Sequence, residues 1–139
     1  MIQVILGEKG TGKTKRLIDM TNDAVKVEHG DIVFIDDDKR YMYDLRHEIR
    51  FVDASEYVKG FTAEAFLAFV SGMLAANFDI SMIFVDAFRK LVTSPLDAPE
   101  TAALFEGLER LSAEHSCGFV LSVSQKADSV PEYISKYAL

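Results

Sequence analysis

The sequence predicts an α/β fold of three layers, in which helices cover both faces of a parallel five-stranded sheet. Apolar runs of strand length alternate with segments of helical length along the chain, which is the pattern of a covered parallel sheet. The chain has 139 residues, of which 49% are hydrophobic, enough for the core of one domain. No segment is rich in Pro, Gly or Ser, so we interpret residues 1–139 as a single domain.

Five short apolar runs predict the strands of this sheet. They comprise residues 2–6, 31–35, 50–53, 80–85 and 119–123. The third run is the weakest, because it is only four residues long and contains two charged side chains.

Helical spacing of apolar residues predicts three helices between the strands. They comprise residues 14–28, 61–78 and 99–115, and shorter helical turns are expected at 41–47 and 131–137. Gly30 follows the first helix and is expected to close it, since glycine is common just after a helix C-terminus.

The helix at 61–78 is unusually apolar, with Glu64 as its one charged residue. Its length is near the minimum for a membrane span, but it contains Thr62, Ser71 and Asn77 and has no flanking basic and aromatic anchors. We therefore interpret it as a helix packed on the sheet, with a contact face for a second copy or a protein partner.

The charge of the chain disfavours direct binding to nucleic acid by this chain alone. Fifteen basic residues against twenty-two acidic ones give a net charge of −7, which repels a phosphate backbone unless basic residues are concentrated locally. The basic groups are short, and the most basic one, Lys13-Lys15-Arg16, belongs to the loop described below.

Cys117 is the only cysteine, so the chain alone builds neither a disulfide nor a thiolate zinc site. A reducing cytoplasm suits this composition. The first predicted strand begins at residue 2, which leaves no room for a signal peptide before it.

Residues 7–14 read Gly-Glu-Lys-Gly-Thr-Gly-Lys-Thr, the G-x-x-x-x-G-K-T spacing of a phosphate-binding loop, between a predicted strand and a predicted helix. Its glycines allow the backbone amides to turn inward around a phosphate, and the helix N-terminus adds a positive dipole. The predicted phosphate-binding residues are Gly7, Glu8, Lys9, Gly10, Thr11, Gly12, Lys13, Thr14 and Lys15.

Three residues are expected to complete a magnesium-nucleotide site. Lys13 places a positive charge between the β- and γ-phosphates, and the Thr14 hydroxyl is a hard oxygen ligand for Mg²⁺. Asp86 ends the apolar strand at 80–85 and is the candidate acid on the other side of the metal. The next residue is Ala87, where many proteins with such a loop carry a catalytic glutamate.

With these motifs the chain resembles the P-loop NTPases, and in particular a minimal core of the RecA-like ATPases. In that family an acid after the second strand positions the attacking water, and a glutamine after a later strand senses the γ-phosphate. The matching residues here are Asp38 and Gln125. The resemblance implies a strand order of 3-2-4-5-1. The family usually carries glutamate at the position of Asp38.

The leading hypothesis is an ATP-binding protein with slow, magnesium-dependent hydrolysis, because Ala87 provides no carboxylate and Asp38 is short. A small-molecule or nucleoside kinase is one alternative, since kinases share the loop. A nucleotide-binding assembly module that uses the helix at 61–78 is another. Arg89 and Arg110 are the candidate arginine fingers, and either could instead be an ordinary surface residue.

Overall fold

The computed structural model describes all residues from Met1 to Leu139 and contains a five-stranded sheet in which every pairing is parallel. The sheet order is β1-β5-β4-β2-β3. Read from the β3 edge, this is 3-2-4-5-1, so the predicted α/β fold is confirmed. The strands are β1 (Ile2–Gly7), β2 (Asp31–Asp36), β3 (Arg50–Asp53), β4 (Ile80–Val85) and β5 (Gly118–Ser124).

The three predicted helices are present, and two short ones accompany them. They are α1 (Lys13–Ala24), α2 (Ala63–Ala76), α3 (Phe88–Leu91), α4 (Pro99–His115) and α5 (Glu132–Ser135). The start of α2 is fixed by Thr62, whose hydroxyl accepts a hydrogen bond from the Ala65 amide at 3.1 Å. In α4, Pro99 occupies the first turn, where its missing N–H is not needed.

The prediction that the first helix reaches residue 28 was wrong. Helix α1 ends at Ala24, because the following amides of Lys26 and Val27 bond three residues back instead of four, which tightens and ends the helix. Gly30 therefore does not close the helix. A Cβ at Gly30 would lie 2.2 Å from the Asp79 carbonyl oxygen, so glycine is needed for close approach of two chain segments.

Substitution of Gly30 by alanine is therefore expected to lower the free energy of unfolding by about 1–3 kcal/mol, as overpacking does. Gly72 is the matched control, since a Cβ there meets nothing within 4 Å and α2 gains about 0.5–1 kcal/mol from alanine. Urea unfolding of both variants checks the pair. Equal stability of the two would contradict the close approach at Gly30.

The sheet divides the core into two unequal parts. The face covered by α2 and α4 belongs to a cluster of 27 buried residues, rich in phenylalanine. The opposite face packs against α1 and the loop residue Ile49, in a cluster of 8 buried residues that includes Leu17, Phe34 and Phe84. The helices thus form layers on both sides of the sheet, and the α1 layer is the thinner one.

The apolar character of α2 is largely explained by packing inside the chain. Phe66, Val70 and Leu74 are buried on its inner face, whereas its exposed positions carry small side chains such as Ala68 and Ala75. No helix of the structure combines the length and the hydropathy needed to cross a bilayer. A contact between this helix and a partner stays a prediction.

Strand β1 is held on both edges, which fixes the start of the loop that follows it. On one side it pairs with β5 over its whole length. On the other, the Val4 amide donates to the Tyr137 carbonyl at 2.9 Å, and the Leu139 amide donates to the Val4 carbonyl at 2.9 Å.

Candidate functional site

Three buried polar side chains form a row across the carboxyl ends of neighbouring strands. They are Asp36 at the end of β2, Asp86 after β4 and Ser122 in β5, with exposed fractions of 1%, 3% and 2%. Each follows by two positions an apolar residue of the α1 face, and these apolar residues are register partners: Phe34, Phe84 and Val120. Because side chains alternate along a strand, the row also faces α1 and its N-terminus.

The loop between β1 and α1 has the backbone that its glycines predict. Gly10 and Gly12 have φ values of 84° and 83°, in the left-handed region that disfavours other residues. At Gly7, a Cβ would lie 2.5 Å from the Thr11 hydroxyl oxygen, so this close turn also favours glycine. The loop ends at the first turn of α1, whose free amides attract anions.

Lys13 points into the loop and is 8% exposed. Its ammonium group donates to the Glu8 carbonyl at 2.7 Å, and the Thr11 hydroxyl donates to the same oxygen at 2.7 Å. Burial lowers the pKa of Lys13, and the negative charge of Asp86 partly opposes this. The ammonium group of Lys13 is thus held by one neutral acceptor. A hydrogen bond to an anionic oxygen would be stronger than this one.

Asp86 is held by hydroxyl groups from two elements. The Thr14 hydroxyl lies 3.1 Å from each carboxylate oxygen, and the Ser122 hydroxyl donates to Oδ1 at 2.6 Å. Ser122 also accepts from the Ala87 amide at 3.1 Å. The predicted metal pair, Thr14 and Asp86, is therefore in direct contact. Ser122 was not among the predicted site residues. It lies two positions before the end of β5 at Ser124, and alternate residues of a strand share one face, so the sequence could have indicated it.

Asp36, which was not chosen as the candidate base, is the deepest acid of the site. Its Oδ1 accepts from the Asp37 amide at 2.8 Å, and its Oδ2 is buried without a hydrogen-bond partner. Burial, together with the neighbouring carboxyls of Asp37 and Asp86, raises the pKa of Asp36 to about 8. Asp86 lies on the adjacent strand, so the two carboxyls share the end of one sheet face.

Asp38, the predicted base, lies at the rim. Its carboxylate accepts from the Arg40 amide at 2.9 Å and pairs with the Arg40 guanidinium at 3.3 Å, and 43% of its side chain is exposed. The end of the strand separates the two acids: Asp36 is the last residue of β2, whereas Asp38 belongs to the turn beyond it.

Gln125, the predicted γ-phosphate sensor, does not line the cleft. Its side chain accepts a hydrogen bond from Arg89 and donates one to the Ser129 hydroxyl at 2.9 Å. Its backbone pairs with Gly7 in both directions, at 3.0 Å each. In this structure Gln125 thus supports the base of the loop and orients Arg89.

A cleft of about 840 Å³ joins the loop, the carboxylates and the turn after β2, a size common for ligand sites. Six of the nine predicted phosphate-binding residues line it, and Gly7, Glu8 and Thr11 do not. Arg89 lines the cleft, whereas Arg110 is an exposed residue of α4 outside it. The six lining residues of the loop are Lys9, Gly10, Gly12, Lys13, Thr14 and Lys15.

Replacing Asp36 with asparagine is expected to stabilise the ligand-free protein at pH 8 by about 1–3 kcal/mol, because an amide avoids the desolvation of the carboxylate. The pKa of Asp36 is raised from 3.8 to about 8 on folding. Stability of the parent protein therefore falls as the pH rises through that range, and the gap to the variant widens. Urea unfolding at pH 5 and pH 8 measures it. A constant gap would contradict the assignment, and Asp97→Asn, at an exposed position, is the control.

The chain was compared with protein-family models and with curated proteins. No family model matches it, and no curated protein matches it either. Support for a function therefore comes from the residues of the cleft and their geometry.

Proposed function

We propose that this chain binds ATP with Mg²⁺ and hydrolyses it slowly, as a minimal RecA-like P-loop ATPase. One observation carries the proposal: the Thr14 hydroxyl of the glycine-rich loop lies 3.1 Å from the Asp86 carboxylate at the end of β4. In P-loop proteins this hydroxyl and this acid are the two protein groups that hold the nucleotide's magnesium. The pairing brings together residues 72 positions apart in the chain.

The loop supplies the phosphate contacts. Amides of the Gly10 to Lys13 turn and of the N-terminus of α1 would donate hydrogen bonds to the β-phosphate oxygens. Lys13 then exchanges the Glu8 carbonyl for the β- and γ-phosphates, gaining a charge-assisted hydrogen bond. Thr14 and Asp86 would hold Mg²⁺, which would supply positive charge against the negative charge that develops on the phosphates.

Slow turnover is expected because the residue after Asp86 is an alanine. Ala87 offers no carboxylate for an attacking water, and its φ of 54° is a strained conformation for alanine. Among the acids at the end of β2, Asp36 is close enough to Asp86 for the charge of one to act on the other. A carboxyl at the end of β2 is therefore the group available to orient water.

Isothermal calorimetry with ATP and MgCl₂ tests binding, and steady-state phosphate release tests hydrolysis. We expect saturable heat with one site per chain, and release that stops when EDTA removes the metal. Absence of heat for ATP, GTP, CTP and UTP at high protein concentration would refute the proposal. Heat without phosphate release would leave a nucleotide-binding module.

The extent of the cleft favours a kinase as the second candidate. Beyond the carboxylates, the cleft continues along α1 to Asn22, Tyr41 and Asp44, which leaves room for an acceptor beside the γ-phosphate. Radiolabelled ATP with a panel of nucleosides and small alcohols separates the candidates. Transfer of label to an acceptor supports the kinase, and release as inorganic phosphate supports the ATPase.

Replacing Arg89 with alanine is expected to lower turnover by about 10-fold with little change in ATP affinity. The guanidinium lines the cleft and is held aside by Gln125, from where it can reach transition-state charge. Its exposure to water keeps the expected effect small. Arg110→Ala is the control, since this residue lies outside the cleft. Comparable losses in both variants would contradict a role for Arg89.

A further inference from the structure

The carboxyl group of Asp36 has no satisfactory arrangement in the protein without a ligand. The residue is 1% exposed, and its Oδ2 accepts no hydrogen bond from the protein. Buried polar atoms in native proteins nearly always have a partner, so an orphan of this kind asks for an explanation. No lysine or arginine side chain donates to it.

Three carboxylates converge at this point. One oxygen from each of Asp36, Asp37 and Asp38 lies within 4.8 Å of the others, and all three side chains line the cleft. Opposite ligands of an octahedral Mg²⁺ are about 4.2 Å apart, and those of Ca²⁺ about 5 Å, as twice the metal–oxygen distances require. A hard divalent cation is therefore within reach after small rotations of the side chains.

The local charges also favour a cation. Arg40 neutralises Asp38 at 3.3 Å, but no positive side chain pairs with Asp37 or Asp36. The carboxyl of Asp86 adds negative charge beside Asp36, because Asp86 follows the adjacent strand and its amide donates to the Ile35 carbonyl at 2.9 Å. Asp36 and Asp37 are thus two neighbouring acids without a basic partner, and Asp36 also has a buried oxygen without a hydrogen bond.

We propose that Asp36, Asp37 and Asp38 hold a divalent cation of the Mg²⁺, Mn²⁺ or Ca²⁺ type in the absence of any nucleotide. The buried Oδ2 of Asp36 is the anchor, Asp37 supplies the second charge, and Asp38 closes the site at the rim. This site is distinct from the pair of Thr14 and Asp86, which needs phosphate oxygens to complete its coordination. It does not depend on the proposed ATPase activity.

Titration of the nucleotide-free 139-residue chain with Mn²⁺ tests the proposal. Binding is monitored by calorimetry and by the loss of the free Mn²⁺ signal in electron paramagnetic resonance. We expect one site with a dissociation constant of about 10–100 µM for Mn²⁺. Mn²⁺ should bind more tightly than Mg²⁺ at a site of three carboxylates. Mg²⁺ and Ca²⁺ should displace the bound Mn²⁺. Measurements use buffer at pH 8.

Asp36→Asn is expected to weaken Mn²⁺ binding at least about 10-fold, and Asp37→Asn to weaken it by a similar factor. Asp97→Asn, remote from the cleft, should leave the affinity unchanged. Absence of Mn²⁺ binding to the parent chain, or equal binding by the parent and Asp36→Asn, would overturn the proposal.

Failure of this proposal is distinguishable from failure of the proposed function. Mn²⁺ that binds only after ATP is added would leave the ATPase proposal intact and remove the nucleotide-independent site. Mn²⁺ that binds to a chain with no affinity for triphosphates would support the site and remove the ATPase.

Discussion

Lys13→Ala is expected to weaken binding of Mg-ATP by about 100-fold and to stop measurable phosphate release. The ammonium group is inside the loop, where its hydrogen bond to the Glu8 carbonyl, 2.7 Å long, can be exchanged for phosphate oxygens. A charged hydrogen bond in such a site contributes about 1.5–3 kcal/mol, which corresponds to roughly 10- to 150-fold in affinity. Calorimetry measures the affinity, and phosphate release measures turnover.

The variant should remain folded. Burial already lowers the pKa of Lys13, which indicates that the charged group is not favourable in the ligand-free protein. Its thermal midpoint should therefore equal or exceed that of the parent chain. Lys59→Ala, an exposed lysine outside the cleft, controls for loss of charge. A phosphate-release rate that persists in Lys13→Ala would assign the activity to a contaminant.

Asp86→Asn is expected to lower turnover by about 100- to 1,000-fold, the range seen when one group that stabilises transition-state charge is removed. The amide keeps an acceptor for the Ser122 hydroxyl but loses the negative charge beside Thr14. Binding of ATP should then depend much less on Mg²⁺. Calorimetry with and without the metal measures that dependence.

The same change is expected to stabilise the ligand-free protein at pH 8, because Asp86 is one of the charges that destabilise ionised Asp36. Loss of activity with a gain in stability distinguishes a site residue from a structural one. Asp97→Asn again controls for an exposed acid. An Asp86→Asn variant that unfolds more readily and loses activity in proportion would show that the residue acts through the fold.

Much of the fold could be predicted because its signals are local. Strands β3 and β4 and helix α4 occupy the predicted residues, since each is bounded by a change of hydrophobic pattern. The end of α1 could not be predicted, because the residues after Ala24 keep apolar spacing while their amides bond three residues back. Glycine is needed at position 30 because the Asp79 carbonyl lies against it. This contact exists only in the folded chain, so the local sequence does not reveal it.

The site was predictable where a contiguous motif defines it, as at Gly7 to Thr14. It was less so where several strands contribute. The choice among three consecutive aspartates depends on which one continues β2 and faces α1, and the run alone favours none of them. Asp36 is distinguished because it is the last residue of β2 and because it is buried. The side chain of Gln125 forms hydrogen bonds with Arg89 and Ser129. These partners come from separate segments, so the local sequence pattern could not predict the contacts.

The thin α1 layer has a consequence for how the chain would respond to a ligand. A helix secured to the sheet by so few buried side chains should exchange its amides with deuterium sooner than α2 and α4 do. A ligand bound by both the first turn of α1 and the strand ends would connect the helix to the sheet. Protection would therefore spread along the whole helix and beyond the residues that touch the ligand.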